Sequence, residues 1–246
     1  TGAIDPLEEI GNIAKKNNLW YHIDAAYGGF FVLTDEGETK LRGIEMCDSL
    51  VIDPHKGLFL PYGLGVVLVK NMKHLQLSHY YQAQYLQDAV EVSDELSPAD
   101  LSPELTKHFR GLRLWLPLKL MGVKPFRACL EEKLLLAKYF HGEIQKLGFE
   151  VGPEPELSVC TYRWIPTLPF DYAQGKLAQG DIHAINAFNK KLLEAVVADG
   201  RIFISSTMLD GKFTLRLACL AFRTHLKQID LLLKILKEKV GELEGK

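Results

Sequence analysis

The chain has 246 residues, 47% hydrophobic and 24% charged, the make-up of an ordinary globular protein of one or two domains. Its formal charge is −2, from 29 basic and 31 acidic side chains, and no basic stripe runs along it, which points away from nucleic acid. No apolar run approaches the ~18 residues of a membrane span. The four cysteines (Cys47, Cys129, Cys160, Cys219) stand far apart with no CxxC pair, so no metal site is expected and a reducing, cytoplasmic setting is.

Asp5-Pro6-Leu7-Glu8 reads as a helix start, with Asp5 as cap and Pro6 as first helical residue. Ile10, Ile13 and Ala14 continue the apolar face of Leu7, and Asn17-Asn18 ends it. Leu19 to Ile23 is a predicted strand, followed by a loop from Asp24 to Gly29 and a polar surface segment over residues 34–48. Leu50 to Ile52 and Leu64 to Val69 are further short strands, and together they predict an α/β sheet buried on both faces. Residues 71–109 are rich in His, Gln, Tyr, Ser and Pro with weak periodicity; a connection this long predicts a functional or a disordered loop.

Arg110 to Met121 resumes as a helix with Leu112, Leu114, Trp115, Leu118 and Met121 apolar, and Gly122 breaks it. A long amphipathic helix follows from Lys124 to Leu147, closed by Gly148. Then come a strand (Val159 to Ile165), a Pro/Gly-rich loop (166–180), a helix capped by Asp181, and strands at Ile202 to Ser205 and Phe213 to Leu220. Thr224 caps a last helix whose face is Ile229, Leu232, Leu233, Leu236 and Val240. The domain boundary falls near Gly122, giving regions 1–122 and 123–246.

Two segments carry chemistry. In HIDAAYGG (22–29), Asp24 ends an apolar strand, where α/β sheets bind ligands, and small residues after it let a flat group approach the backbone. A capped strand end with a Gly turn fits as well. In VIDPHKGLF (51–59), Lys56 stands among apolar residues. Desolvation favours a neutral amine, which can attack a carbonyl; a lysine snorkelling past an apolar shell fits as well. The pairing says more. Asp24 and Lys56 end two predicted strands of one sheet, and pyridoxal phosphate needs both a lysine for its aldehyde and an acid beside its pyridine nitrogen.

HIDAAYGG followed by DPHKG resembles the group II pyridoxal-phosphate decarboxylases, whose motifs are similar to H-V-D-A-A-Y and N-P-H-K-W. TGAIDP, FRGLRLW (109–115) and KFTLRLA (212–218) also resemble family segments, so the likeness runs over the whole chain. It implies a fold-type I (aspartate aminotransferase-like) α/β enzyme, of which this chain holds the second half of the large cofactor domain and the small C-terminal domain. It implies Lys56 as the Schiff-base lysine and His55 as a cofactor contact able to assist proton transfer. Asp24 would partner the pyridine nitrogen, Ala26 would pack on the ring, and His22 falls on the family histidine of the same strand. Tyr85, followed by Leu86, matches the mobile-loop tyrosine that protonates the substrate carbon, with Tyr80 and Tyr81 as neighbouring candidates. Arg216 matches an arginine near the substrate carboxylate, a role guanidinium suits; a paired structural arginine is the other reading.

The same resemblance implies decarboxylation of an L-amino acid to an amine and CO₂ in a homodimer with its active site at the interface. Aldehyde synthesis, aminotransfer or lyase chemistry on the same fold, and a non-catalytic interaction module, are the alternatives. The family's N-terminal half precedes TGAIDP, so the chain is expected to be part of a longer enzyme. Two residues depart from the pattern. Asp53 replaces a common asparagine near the cofactor phosphate, where an acid is unfavourable unless neutralised or turned away. Gly57 replaces a common tryptophan, and is expected to open space beside the lysine.

Overall fold

The computed structural model describes residues 1–79, 98–166, 170–171, 176–177 and 182–245. The chain divides into two compact units. One comprises Pro6–Val32 with Leu41–Val123; the other comprises Thr1–Asp5, Leu33–Lys40 and Lys124–Lys246.

The first unit opens with helix α1 (Leu7–Lys16), which has Glu8 and Glu9 in its first turn and Lys15 and Lys16 in its last, complementing the helix dipole. Pro6 occupies the cap position, so Asp5 lies one residue before it. The buried face is Leu7, Gly11 and Ala14, and Ile13 turns outward. Gly11 is needed there, because a Cβ would lie 2.9 Å from Met46 Cε. The helix ends where expected, with Asn18 left-handed at φ 51°, a conformation asparagine tolerates.

Strands β1 (His22–Asp24) and β2 (Ser49–Ile52) pair in parallel with His22 opposite Ser49 and Asp24 opposite Val51. Strand β3 (Val66–Val69) adds antiparallel to β2, giving the order β1-β2-β3. One turn of helix, α2 (Pro54–Gly57), follows β2 directly. Helix α3 (Met72–His79) forms inside the stretch read as a loop, and α4 (Gly111–Met121) follows later. The sheet is not buried on both faces among the described residues: Val67 and Leu68 are half exposed. Helix α4 likewise buries none of its residues, and Trp115 is 58% exposed. The apolar patterns of β3 and α4 match their secondary structure, but these residues stay exposed among the described residues.

In the second unit, helix α5 (Lys124–Lys146) leads to strands β4 (Glu150–Val151) and β5 (Val159–Arg163). A small hairpin of β6 (Phe170–Asp171) and β7 (Lys176–Leu177) lies in the Pro/Gly-rich loop. Helix α6 (Ile182–Asp199), strands β8 (Ser205–Leu209) and β9 (Lys212–Ala218), and helix α7 (Leu226–Glu244) complete it. Strand β8 starts where the predicted strand ends. Asp181, the expected cap of α6, lies outside the described residues.

The sheet order is β4-β5-β9-β8, antiparallel throughout. Alternation along the strands sends Cys160, Tyr162, Leu215 and Leu217 into a core with Phe140 and Ile144 of α5, Leu192 and Val196 of α6, and Leu232 and Leu236 of α7. Burial pushes the Cys160 thiol up to about 12 and the Cys219 thiol up to about 11, so both serve as core residues rather than reactive thiols. The cap of α7 is His225, one residue after the expected Thr224, with its backbone N–H donating to Gln228 Oε1 at 3.0 Å. Among the described residues no helix is long and apolar enough to cross a membrane.

Candidate active site

The apolar strand β2 ends at Ile52, and Asp53 continues extended, at φ −110° and ψ 100°. Pro54 then fixes φ for the first helical position. Both Lys56 and Gly57 donate their backbone N–H groups to the Asp53 carbonyl, at 2.9 and 3.1 Å. The helix cannot continue, because Phe59 is left-handed at φ 57°. A bulky residue there costs about 1–3 kcal/mol of backbone strain, held by the surrounding bonds from Phe59 to the Lys56 carbonyl and from Leu60 to the Pro54 carbonyl. One turn of helix thereby presents His55 and Lys56 at the carboxyl end of β2.

Asp24 is the last residue of β1, the parallel neighbour of β2. Its Oδ1 accepts the Ala26 backbone N–H at 3.1 Å, and Ala25 extends the pairing by donating to the Val51 carbonyl at 3.0 Å. Asp24 and Lys56 thus leave the same edge of one parallel strand pair, the edge at which such sheets bind ligands. His22 stands opposite Ser49, its Nδ1 2.7 Å from Ser49 Oγ, which also accepts the Trp20 indole N–H at 2.9 Å.

Lys56 is not desolvated as its apolar neighbours in sequence suggest. Its side chain is 41% exposed and its Nζ lies 2.7 Å from Asp53 Oδ2, whose own side chain is only 14% exposed. The reason is helical geometry: residues three apart share a face, whereas Leu58 and Leu60 turn into the core. His55 shares the carboxylate, with Nε2 3.8 Å from Asp53 Oδ2. Its Nδ1 lies 2.6 Å from the Leu64 carbonyl; a carbonyl only accepts, so Nδ1 carries a proton. The Tyr62 ring packs against the imidazole at a centroid distance of 5.2 Å.

Gly57 does not open space beside the lysine. It is buried, and a Cβ there would lie 2.7 Å from Phe30 Cβ. Phe30 fills the volume. Gly57→Ala is therefore expected to destabilise the protein by about 1–3 kcal/mol through overpacking, and to shift the turn that carries Lys56. Denaturant unfolding checks the first effect; a variant as stable as wild type would contradict it.

Tyr85, with Tyr80 and Tyr81, lies outside the described residues. Arg216 belongs to the other unit, on β9, where its Nη1 donates to Ser205 Oγ at 3.4 Å. It shares a sheet face with Thr161, its partner on β5. Sequence reasoning named Asp53 but not its pairing with Lys56, and passed over Ser49 beneath His22 and Phe30 against Gly57. The i,i+3 spacing of Asp53 and Lys56 carried the first; the other two arise from tertiary contacts.

Residues 1–165 match the family model described as the pyridoxal-dependent decarboxylase conserved domain. The chain belongs to that family. It is 33% identical over 245 residues to an aromatic-L-amino-acid decarboxylase of Bacillus atrophaeus, covering 98% of this chain and 49% of that protein. A phenylacetaldehyde synthase of Arabidopsis thaliana is 29% identical over 242 residues, covering 98% and 46%. The crystal structure of Oryza sativa TDC with PLP and tryptamine superposes with a TM-score of 0.85 at 24% identity, covering 98% of this chain and 48% of that one. The fold is that of the fold-type I pyridoxal-phosphate decarboxylases. The chain spans about half the length of the relatives it matches. The lysine and carboxylate present fit a pyridoxal-dependent family: an amine for an aldehyde and an acid for a ring nitrogen, on one sheet edge.

Proposed function

We propose that the full-length protein decarboxylates an L-amino acid to the corresponding amine and CO₂, with pyridoxal phosphate as cofactor. The observation that carries this reading is the placement of Asp24 at the end of β1 and of Lys56 in the helical turn that follows its parallel neighbour β2, at one sheet edge, in a chain of the pyridoxal-dependent decarboxylase family. The unit containing Lys56 is read as part of the cofactor domain, and the unit containing α5 to α7 as the small domain.

When bound, pyridoxal phosphate supplies an aldehyde and a ring that takes up the electron pair left as CO₂ departs. Lys56 would be the residue that holds the cofactor through its aldehyde. Asp24 holds a proton at the ring nitrogen, and Ala26 keeps the approach to the ring flat. His22, tied to Ser49, borders the same edge. Tyr85 or His55 returns a proton to the substrate carbon, a task suited to a phenol or an imidazole. Arg216 receives a substrate carboxylate. A cytoplasmic homodimer completes the reading.

The test is to incubate the full-length protein with each of the twenty L-amino acids, aromatic ones first because of the relatives' names. Amine and CO₂ in equal amounts, without ammonia or peroxide, are expected. Equimolar ammonia would move the assignment to aldehyde synthesis. A full-length protein that retains no pyridoxal phosphate would remove the enzymatic reading altogether.

A further inference from the structure

The carboxylate nearest to Lys56 in this structure is that of Asp53, not of Asp24. Asp53 occupies the cap position of α2 but makes no side-chain cap bond. Its carboxylate is therefore not used to terminate the helix. It lies 2.7 Å from Lys56 Nζ and 3.8 Å from His55 Nε2 through the same oxygen, while its other oxygen lies over Gly65, where a Cβ would come within 3.2 Å. The group is largely buried at 14% exposure. An ion pair with one side held this way is screened less than a free surface pair.

Capture of an aldehyde by Lys56 requires the ammonium to give one proton to solvent. The amine nitrogen then bonds to the carbonyl carbon, and the aldehyde oxygen leaves as water. The pair with Asp53 must be broken for this to happen. A phosphorylated aldehyde also brings negative charge towards the Asp53 carboxylate. Both effects oppose loading, and both would be weaker with a neutral amide of the same shape, which keeps an acceptor oxygen but carries no charge.

We propose that Asp53 is a positioning residue that holds Lys56 back from the cofactor aldehyde, so that this protein loads pyridoxal phosphate more weakly and with a different salt dependence than an amide at position 53 would allow. The proposal rests on the reading of Lys56 as the cofactor lysine. It assigns Asp53 the control of cofactor occupancy rather than a chemical step.

The experiment strips the full-length protein of cofactor and titrates it with pyridoxal phosphate and, separately, with unphosphorylated pyridoxal, reading dissociation constants from absorbance. Borohydride reduction and peptide mapping then locate the pyridoxyl group. Asp53→Asn is expected to bind pyridoxal phosphate about three- to tenfold more tightly at low salt, the effect of a partly exposed charge-assisted pair. The gain should be smaller for pyridoxal and should shrink as salt rises. Asp53→Ser should move the same way, and Asp53→Glu, which keeps the charge, should stay near wild type. Equal or weaker binding by both neutral variants, with the pyridoxyl group mapped to Lys56, overturns the proposal and leaves the lysine reading intact. A pyridoxyl group mapped to another lysine overturns both.

Discussion

Lys56→Ala is expected to abolish the decarboxylation proposed for the full-length protein, by on the order of 10³-fold or more, equivalent to about 4 kcal/mol of transition-state stabilisation. It should also remove the visible absorbance of bound pyridoxal phosphate. The argument starts from the backbone. Ile52, Pro54 and the left-handed Phe59 restrict the segment to a single helical turn, so no neighbouring lysine can be brought to the same point of the sheet edge without rebuilding that turn. Alanine also strips Asp53 of its partner at 2.7 Å and leaves a largely buried carboxylate beside His55. A loss of stability could then mimic a loss of chemistry. Lys56→Arg separates the two, because guanidinium keeps the charge opposite Asp53 but does not condense with the aldehyde under these conditions. Equal unfolding curves for wild type and Lys56→Arg, with activity lost in both variants, are the expected pattern. Activity retained by either variant would refute the role of Lys56.

Much of this site was legible in the sequence because its parts are local. A strand that ends in Asp followed by small residues, and a second strand that runs into a helical turn at Asp-Pro-His-Lys, specify their own backbone. The sheet then only has to set the two strands side by side, and the pairing of His22 with Ser49 and of Asp24 with Val51 does so. What could not be read is what depends on neighbours from elsewhere in the chain. Lys56 looked desolvated because Leu58 and Leu60 flank it, yet the helical turn sends those leucines inward and the lysine to Asp53. Gly57 looked like open space, yet Phe30 fills it. The same limit shows in the fold. Periodicity located α4 and β3, but not whether anything covers Trp115 or Val67. The core of the second unit was more legible, because the apolar faces of α7 and β9 meet partners among the described residues, Leu232, Leu236, Leu215 and Leu217 joining Phe140 and Ile144 in one cluster.

Glu132→Ala is expected to cost the second unit about 2–4 kcal/mol, at the lower side of the range for breaking a buried ion pair because the carboxylate is partly in water. Lys133 is the reason. Its side chain is fully buried, and its Nζ is held by Glu132 Oε2 at 2.8 Å and the Thr224 carbonyl at 2.5 Å. The other oxygen of Glu132 accepts a hydrogen bond from His225 Nδ1 at 2.7 Å, joining α5 to the cap of α7. Removing the carboxylate leaves a buried ammonium with one carbonyl partner and frees the cap. The pH dependence follows from the same contacts. Burial opposes the Glu132 charge, but hydrogen bonds from Lys133 and His225 outweigh it and bring the carboxyl below its ordinary value. A carboxyl lowered in the folded state stabilises the fold above its unfolded value and loses that contribution as pH falls through the folded value. The stability difference between wild type and Glu132→Gln should therefore be full at neutral pH and shrink once the pH drops below the usual carboxylate range. Denaturant unfolding across that range measures it. The double variant Glu132→Ala with Lys133→Met should regain part of the loss, since the stranded charge is then gone. A double variant no more stable than Glu132→Ala alone would show that the cost lies in the α7 cap instead.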